Sequence, residues 1–257
     1  MKILVCLKQV PHKDARLEAS GSWIDEGGIK FEINQYDTYA LEEALRIKDA
    51  GEGEVVVATI GPDRTSQALR TALGMGADRA IQIWDDALAD ADSLAIAKTL
   101  AAAVQGENFD LVLMGLMSDD TNYSLTGPML AELLGWPHVS AITKLELSGD
   151  DFTAEREIEG ATEVQQGSFP AVLTCEKGLN EPRYPSLKGI MQAKKKRLDL
   201  KTPEELGLDA AELEQPRLIW EAMELPAERG VGRLVEGPPE EAARELARLL
   251  REEAKVI

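Results

Sequence analysis

The segment whose residues are best suited to bind a ligand spans residues 115–128. It begins at a glycine that ends an apolar run, continues as a polar loop and leads into an apolar helical pattern. The first turn of a helix presents unpaired backbone N–H groups and a positive dipole end, and together these bind phosphate. The same polar residue types are the usual N-caps of helices. The segment therefore predicts either a phosphate site or an ordinary helix cap. Its short hydroxyl and amide side chains are Ser118, Thr121, Asn122, Ser124 and Thr126.

Two carboxylates limit what this loop can hold. Asp119 and Asp120 would repel a phosphate placed directly against them. We therefore expect one of them to contact a ribose hydroxyl or to cap the helix. The loop has neither the Gly-Lys-Ser/Thr of a P-loop nor the glycine fingerprint of a dinucleotide fold, so the sequence excludes both of those motifs.

The remainder of the chain offers no catalytic or metal-binding constellation. There is no Gly-x-Ser-x-Gly motif, and no nucleophile can be assigned to His12. The acidic pair Glu42 and Glu43 is interpreted as a solvated helix face. The two histidines and two cysteines lack the close spacing of a zinc site. Cys6 and Cys175 lie in apolar runs, which predicts buried free thiols rather than a disulfide.

A second distinctive segment, 176–197, ends in four consecutive cations. Such a run is typical of a nuclear targeting signal or a nucleic-acid patch. The chain as a whole has 28 Lys and Arg against 46 Asp and Glu, a net charge of −18, which disfavours nucleic acids and anionic membranes as partners. The alternative is a protein-docking element, in which Leu187, Ile190 and Met191 form apolar anchors beside a charged rim.

These two segments lie within a sequence in which strand patterns alternate with helix patterns. The strands are predicted at 2–7, 54–60, 79–84 and 109–114, and the helices at 37–49, 65–73, 92–104 and 123–134. This order predicts an α/β fold with a three-layer, doubly wound, mostly parallel sheet. Because ligands bind such sheets at the carboxyl ends of the strands, the loops after Leu7, Ile60 and Met114 are expected to converge on one site.

The pattern changes after residue 140. Four further strands are predicted as an antiparallel extension of the sheet, at 142–147, 152–158, 162–166 and 171–175. From about Pro182 the periodicity is lost, until one clear helix returns at 240–253. This tail is either flexible or an arm that wraps a partner, and the apolar run from Leu218 to Leu225 favours the arm.

Composition sets the class of protein. Of the 257 residues, 44% are hydrophobic and 29% are charged, as in ordinary globular proteins. No apolar run approaches the roughly 20 residues of a spanning helix, and the first residues lack the pattern of a signal peptide. We therefore expect a cytoplasmic protein that does not insert into membranes.

Several motifs in one order resemble those of a known family, the β subunit of electron transfer flavoprotein. They lie at residues 37–44, 70–78, 155–160 and 180–196. The resemblance runs from Met1 to about Asp209, with a looser match beyond. It implies an adenine nucleotide α-hydrolase-like fold, an αβ heterodimer, and an electron carrier rather than an enzyme. It divides the chain into a nucleotide-binding domain at 1–200 and an arm at 201–257 that packs on the α subunit.

The resemblance implies two cofactors. A redox-active FAD is held mainly by the α subunit, with this chain as one wall of its site, and an AMP with a structural role lies in this chain. Tyr36 matches an aromatic position that faces the flavin, and Arg156 and Glu157 match the contact with the mobile flavin domain. The implied cofactor-binding residues are Cys6, Asn34, Gln35, Tyr36, Asp37, Ile60, Gly115, Ser118, Asp119, Asp120, Thr121, Asn122, Tyr123, Ser124, Leu125 and Thr126.

The resemblance also implies a docking role for residues 175–197, which match the family's recognition loop for acyl-CoA dehydrogenases. Leu187 occupies the position of the anchor leucine. Electrons would enter from such a dehydrogenase and leave to a membrane quinone reductase or another acceptor. The other implied docking residues are Tyr184, Ile190, Met191, Lys194, Lys195 and Lys196.

Departures from the family pattern leave alternatives open. Residues 120–124 replace an acidic-cysteine stretch that is frequent in members with AMP, and Gly127-Pro128 is similar to the electron-bifurcating branch, which binds a second FAD in place of AMP and oxidises NADH. The intact segment 180–184 favours the non-bifurcating branch. Gln35 stands where proline is common. A free-standing adenine-nucleotide-binding module without flavin is the third alternative.

Overall fold

A nine-stranded, mostly parallel sheet forms the centre of the protein in the computed structural model, which describes residues 1–51, 53–227 and 232–257. The strands are β1 (Lys2–Cys6), β2 (Gln9–Pro11), β3 (Ala19–Ser20), β4 (Trp23–Ile24), β5 (Phe31–Ile33), β6 (Glu54–Ile60), β7 (Arg79–Ile83), β8 (Leu111–Gly115), β9 (His138–Ser148), β10 (Asp151–Ile158), β11 (Ala161–Ser168), β12 (Ala171–Cys175) and β13 (Leu198–Lys201). The α-helices are α1 (Gln35–Ala50), α2 (Ser66–Met75), α3 (Ser93–Gln105), α4 (Thr126–Leu134), α5 (Leu187–Ala193), α6 (Ala210–Leu213) and α7 (Pro239–Glu252).

The strand order in the sheet is β11-β10-β9-β12-β8-β1-β6-β7-β13. Every neighbouring pair between β9 and β13 in this order is parallel. At the other edge, β10 pairs antiparallel with both β9 and β11. The predicted α/β class, with a mostly parallel sheet and an antiparallel extension, is confirmed.

The strand at 171–175 does not lie where the sequence predicts it. Instead of extending the antiparallel edge, β12 pairs in parallel with β8 and β9 inside the sheet. All five of its residues are buried. A strand that is apolar on both faces must be covered on both faces, and only the interior of a covered parallel sheet provides this.

Helices cover the two faces of the sheet and complete three layers. In β1, Ile3 and Val5 pack in the core that contains Leu41 of α1, whereas Leu4 packs on the other face with Leu100 of α3. This alternation follows from strand geometry, because successive side chains point to opposite faces. The two cores therefore hold β1 in the middle of the sheet, with its carboxyl end at the open edge.

Two parts of the chain contain structure that their sequence patterns do not predict. Residues 9–33 form short hairpins, in which β2 pairs with β5 and β3 with β4. Beyond Pro182, α5 packs on α2 and β13 extends the sheet by pairing with β7. The predicted boundary at residue 200 thus falls inside β13.

The loop after β8 is longer than predicted, because α4 begins at Thr126 rather than Tyr123. Asn122 and Ser124 adopt left-handed backbone conformations with φ of 53° and 54°. Left-handed residues interrupt a right-handed helix, since they are tolerated singly and not as helical turns. We refer to residues 116–125 as the nucleotide loop.

Candidate functional site

A cleft of about 540 Å³ lies at the carboxyl edge of the sheet. The loops after β1, β6 and β8 meet there, which confirms the convergence expected from the strand order. This volume is within the range of small-molecule sites. Most of the residues implied for cofactor binding line it: Cys6, Asn34, Asp37, Ile60, Gly115, Ser118, Asp120, Thr121, Tyr123, Ser124, Leu125 and Thr126.

Asp37 joins two sides of the cleft from the first turn of α1. Its two carboxylate oxygens accept hydrogen bonds from the backbone N–H groups of Lys8 (2.6 Å) and Gly115 (2.9 Å). Burial raises the pKa of Asp37 to about 7, although these N–H donors act in the opposite direction. A Cβ atom on residue 115 would overlap the Asp37 carboxylate, so only glycine permits this approach.

Asn34 fastens the nucleotide loop to the start of α1. Its Nδ2 donates to the carbonyl of Met117 (2.8 Å), and its Oδ1 accepts from the backbone N–H of Asp119 (3.0 Å). The residue is buried, so both of its polar atoms need these partners. Asn34 and Asp37 together fix the loops on which the shape of the cleft depends.

An ion pair neutralises Asp120, one of several acidic residues that line the cleft. Lys8 Nζ lies 2.7 Å from Asp120 Oδ1 and also donates to Ser118 Oγ at 3.3 Å. The Ser118 and Thr121 hydroxyls are hydrogen-bonded to each other at 2.8 Å. Because Lys8 compensates Asp120, this carboxylate opposes an anion in the cleft less than the sequence alone suggests.

The N-terminus of α4 opens into the cleft without a side-chain cap. Leu125 occupies the N-cap position, and its apolar side chain cannot accept a hydrogen bond in the way of Ser, Thr, Asp or Asn caps. Thr126 and Gly127 line the cleft. The interpretation of this segment as an ordinary helix cap is therefore wrong, and the N–H groups of the first turn remain able to bind an anion.

Four residues implied for cofactor binding do not line the cleft: Gln35, Tyr36, Asp119 and Asn122. Asp119 accepts a long hydrogen bond from the backbone N–H of Gln35 (3.4 Å), and the backbone N–H of Asn122 donates within the loop to Ser118 (2.9 Å). Tyr36 is half-buried, and burial followed by the negative charge of Glu176 raises its pKa. Tyr36 therefore lies beside the start of the second segment rather than in the cleft.

Several cleft residues carry no motif and were not identified from the sequence. Lys8, Trp23, Arg64, Trp84 and Trp220 all line the cleft. Trp84 directly follows β7 and Lys8 is the second residue after β1, so their position at the carboxyl edge is the signal that could have identified them. Trp23 and Trp220 come from an unpredicted hairpin and from the arm, where no periodicity marks them.

The second functional segment, residues 176–197, presents apolar side chains to solvent. Leu187 is 85% exposed and Tyr184 is 94% exposed, and Ile190 and Met191 are exposed as well. Leu187 is the first residue of α5, which Ser186 caps by accepting from the backbone N–H of Gly189 (3.0 Å). We refer to 176–197 as the docking segment.

Buried acidic residues of α1 hold the docking segment in place. The Arg183 guanidinium binds both oxygens of Glu42, with Nε and Nη2 at 2.8 and 2.9 Å, and reaches Asp49 at 2.8 Å. Asn180 Nδ2 donates to Glu43 at 2.9 Å. The interpretation of Glu42 and Glu43 as a solvated face is therefore wrong, because both are buried against this segment.

The far end of the docking segment is seated on α2. A Cβ atom on Gly189 would overlap the carbonyl oxygen of Gly74, so the two helices meet at backbone distance. Lys196 Nζ donates to the carbonyls of Leu73 and Ala77 at the end of α2, and burial lowers the pKa of Lys196. The Lys196 charge therefore points toward α2, whereas Lys194 and Lys195 are exposed. The docking role implied for Lys196 stays a prediction.

The residues implied for flavin-domain contact lie on β10, in the antiparallel part of the sheet. Arg156 Nε donates to Glu163 Oε2 on β11 at 2.5 Å, and Glu157 is exposed. Neither residue lines the cleft. Their implied role stays a prediction.

Cys6 and Cys175 are free and buried, as predicted. Among residues 1–51, 53–227 and 232–257, no group of His, Cys, Asp or Glu side chains could hold a metal ion. No helix within the same ranges is long and apolar enough to cross a membrane.

Comparison with known proteins gives concordant matches. Residues 22–206 match the family model of the electron transfer flavoprotein domain. The electron transfer flavoprotein subunit beta of Bacillus subtilis is 40% identical over 258 residues, covering 100% of both chains. That of Methylophilus methylotrophus is 35% identical, covering 98% of both. The mitochondrial subunit beta of Oryza sativa subsp. indica is 40% identical over 81% of this chain and 85% of its own.

Proposed function

The chain belongs to the family of electron transfer flavoprotein β subunits, and on this premise we propose that it binds one AMP in the cleft and forms one wall of a FAD site with an α subunit. The FAD supplies the redox chemistry when bound. This chain helps to bind and orient the FAD and excludes water from it. The protein is then an electron carrier, and none of its own residues acts as a catalytic acid or base.

The uncapped start of α4 is the observation that carries the AMP proposal. Thr126 and Gly127 bring N–H groups of the first helical turn to the cleft, where a phosphate would satisfy them. Nearby, Gly127 has room for no side chain, because a Cβ atom would overlap Thr174. A helix start packed this closely on the sheet forms a fixed anion site rather than an adaptable one.

The polar groups farther along the cleft suit a nucleoside. Ser118, Thr121 and Ser124 offer hydroxyls at its wall, and the apolar side chains of Ile60 and Met114 provide a surface for a base. Asp120 is held by Lys8, so it can accept from a ribose hydroxyl without facing the phosphate unpaired. These features support an adenine mononucleotide with its phosphate at α4.

The test is the identity and number of nucleotides released when the purified heterodimer is denatured. We expect one AMP and one FAD per heterodimer. Two FAD molecules and no AMP would instead favour the electron-bifurcating alternative that oxidises NADH. Absence of any adenosine nucleotide beyond the shared FAD would contradict the proposed use of the cleft.

For the flavin wall we propose Tyr36 with Gln35, Arg156 and Glu157. Tyr36 and Glu157 are accessible on the outside of the chain rather than enclosed in the cleft. A cofactor that reaches them must be held largely by another chain, which supports a FAD shared with the α subunit. The proposed role of these side chains is to cover and orient the flavin.

We propose that the docking segment receives acyl-CoA dehydrogenases through Leu187. An exposed leucine on a segment fixed by the Arg183–Glu42 ion pair can enter a partner's pocket without ordering a loop first, which lowers the entropic cost of association. Exposed Lys194 and Lys195 give the local positive charge that steers an acidic partner. Such a small contact suits rapid exchange among partners.

Leu187→Ala tests this docking proposal. Loss of one buried apolar anchor is expected to weaken dehydrogenase-dependent electron transfer by about tenfold or more, seen as a raised KM for the carrier, with unchanged flavin content. Leu200→Ala is the matched control, because Leu200 is also an exposed leucine (69%) and lies on β13, at the edge of the sheet. Equal transfer rates for wild type and Leu187→Ala would contradict the docking role.

The remaining proposals concern the arm, the acceptor and the location of the protein. None of the residues of α7 is buried, and Leu246, Leu249 and Leu250 lie on one side of it, which supports packing on the α subunit. We propose a quinone reductase or similar protein as acceptor. A cytoplasmic location is proposed because both cysteines are free, as is typical of reducing compartments.

A further inference from the structure

Part of the C-terminal arm lines the cleft where it meets solvent, because Leu218 and Trp220 are 42% and 40% exposed. We refer to this side of the cleft as its mouth. The chain packs against the body of the protein as far as Leu213, which is buried at the end of α6. It then passes the cleft, where Leu218 and Trp220 line the same cavity as Asp37 and Gly115. We refer to residues 217–223 as the strap.

Hydrogen bonds fasten both ends of the strap to the body. At one end, Asp92 Oδ2 accepts from the backbone N–H groups of Arg217 (2.5 Å) and Leu218 (3.2 Å). The other oxygen of Asp92 caps α3, so one carboxylate serves the helix and the strap together. At the other end, the backbone N–H of Met223 donates to the carbonyl of Gly21 (3.1 Å).

In the middle of the strap, the ring of Trp220 packs against two other aromatic rings. Its ring centroid lies 5.9 Å from that of Trp23, edge-on, and 6.0 Å from that of Tyr123, tilted. Trp23 comes from the β3–β4 hairpin and Tyr123 from the nucleotide loop, and all three rings line the cleft. Three separate chain segments thus meet at one mouth through side chains whose contacts are favourable beyond simple area burial.

Side-chain orientation along the strap is selective. Leu218 and Trp220 line the cleft, whereas Ile219 between them is 74% exposed and does not. The apolar run in the arm is therefore explained in part by the cleft itself. These contacts favour the arm over the flexible tail for this stretch of the chain.

We propose that the strap completes the nucleotide site, with Trp220 as a cover that slows the escape of a bound adenine mononucleotide. This inference rests on the proposed AMP function of the cleft. A cover tied at both ends acts on the dissociation rate, because the ligand can leave only when the strap opens. The aromatic faces at the mouth also offer a surface on which a base can stack.

Dissociation of tritiated AMP from the full heterodimer, chased with unlabelled AMP, tests the strap. Trp220→Ala should release AMP about tenfold faster than wild type, the size expected when an aromatic cover or stacking partner is removed. Ile219→Ala is the matched control from the same segment and should release AMP at the wild-type rate. Should Trp220→Ala fail to assemble, Trp220→Leu, which keeps an apolar side chain without the ring, carries the same expectation of faster release.

The outcomes separate this inference from the function on which it rests. Wild-type retention of AMP with an unchanged rate in Trp220→Ala or Trp220→Leu would overturn the strap and leave the AMP function intact. A wild-type heterodimer that binds no AMP would overturn both. Slower hydrogen exchange of the amides of Arg217, Leu218 and Met223 when AMP is added would support the strap, and unchanged exchange would overturn it.

Discussion

The nucleotide loop and the docking segment are held to the same helix in the same way, yet they expose opposite chemistry. Asn34 and Asp37, at the start of α1, bind backbone groups of and beside the nucleotide loop. Glu42 and Glu43, one to two turns later, bind side chains of the docking segment. The nucleotide loop and the start of α4 leave hydroxyl and N–H groups facing a cleft. The docking segment instead pairs Asn180 and Arg183 with α1 and exposes leucine, isoleucine and methionine.

The difference shows that function follows from what each segment leaves unpaired, rather than from how it is anchored. The two anchoring carboxylates, Glu42 and Asp37, also differ in their electrostatic surroundings. Glu42 is paired with Arg183, and its hydrogen bonds raise the pKa of that guanidinium. Asp37 has no such cation in direct contact and relies on N–H donors, so burial raises its pKa to about 7. We therefore expect the contacts of Asp37 and those of Glu42 to be lost separately and under different conditions.

The largest expected effect is that of Asp37→Asn. Both carboxylate oxygens accept backbone N–H groups, so an amide NH₂ would face one of those donors unpaired. We expect the free energy of unfolding, measured by urea denaturation, to fall by about 2–3 kcal/mol, with weakened AMP binding and unchanged dehydrogenase docking.

Asp119→Asn is the control for this change. Among the residues that the structure describes, the Asp119 carboxylate accepts one long hydrogen bond, from the Gln35 N–H at 3.4 Å, and it does not line the cleft. Its replacement should leave both stability and AMP binding close to wild type. Comparable losses in the two variants would show that position 37 has no special role.

Glu42→Gln should give the complementary result with a smaller effect on stability. The amide keeps one acceptor for Arg183, and Asp49 remains as a second partner, so the expected loss is about 1–2 kcal/mol. Because the docking segment would be held less firmly, the KM for the dehydrogenase should rise while AMP content stays at wild type. Glu240→Gln, on an exposed position of α7, is the control and should change neither quantity.

A pH dependence of stability should belong to the Asp37 anchor alone. An unfolded Asp has a pKa of about 3.9, below the value near 7 in the folded chain. Between these values the folded state holds a proton that the unfolded state has lost. The contribution of Asp37 to stability is therefore present at low pH and is lost as pH rises through about 7, at up to about 1.4 kcal/mol per pH unit.

Unfolding free energies measured from about pH 4.5, just above the unfolded pKa, to about pH 8, one unit above the folded pKa, should show this slope in wild type and in Glu42→Gln. The slope should be absent in Asp37→Asn. A slope that persists in Asp37→Asn would assign the titration to another group.

Much of the fold could be predicted from local pattern. The strand at 54–60 is β6 at its observed bounds, because an uninterrupted β-branched run ending at Gly61 leaves little alternative. Strand order then placed the cleft, since parallel strands gather their carboxyl ends at one edge. The strands of two or three residues at 9–33 and the edge strand β13 were missed, because pieces this short show no periodicity.

The anchors of the site could not be predicted for a different reason. Glu42 is buried only because Arg183, 141 residues further along the chain, pairs with it. Asp37 likewise depends on Gly115, 78 residues away. A charged residue in a helix pattern predicts a solvent-exposed position unless its partner is known. Long-range pairing of this kind leaves no signal in the local spacing of residues. Lys196 reads as a surface cation for the same reason.

Calorimetric titration of AMP into nucleotide-stripped heterodimers tests most directly whether α1 anchors two independent functions. Wild type and Glu42→Gln should bind AMP with the same affinity, and Asp37→Asn should bind it more weakly. Equal weakening in Glu42→Gln and Asp37→Asn, or no AMP binding by the wild type, would contradict the account.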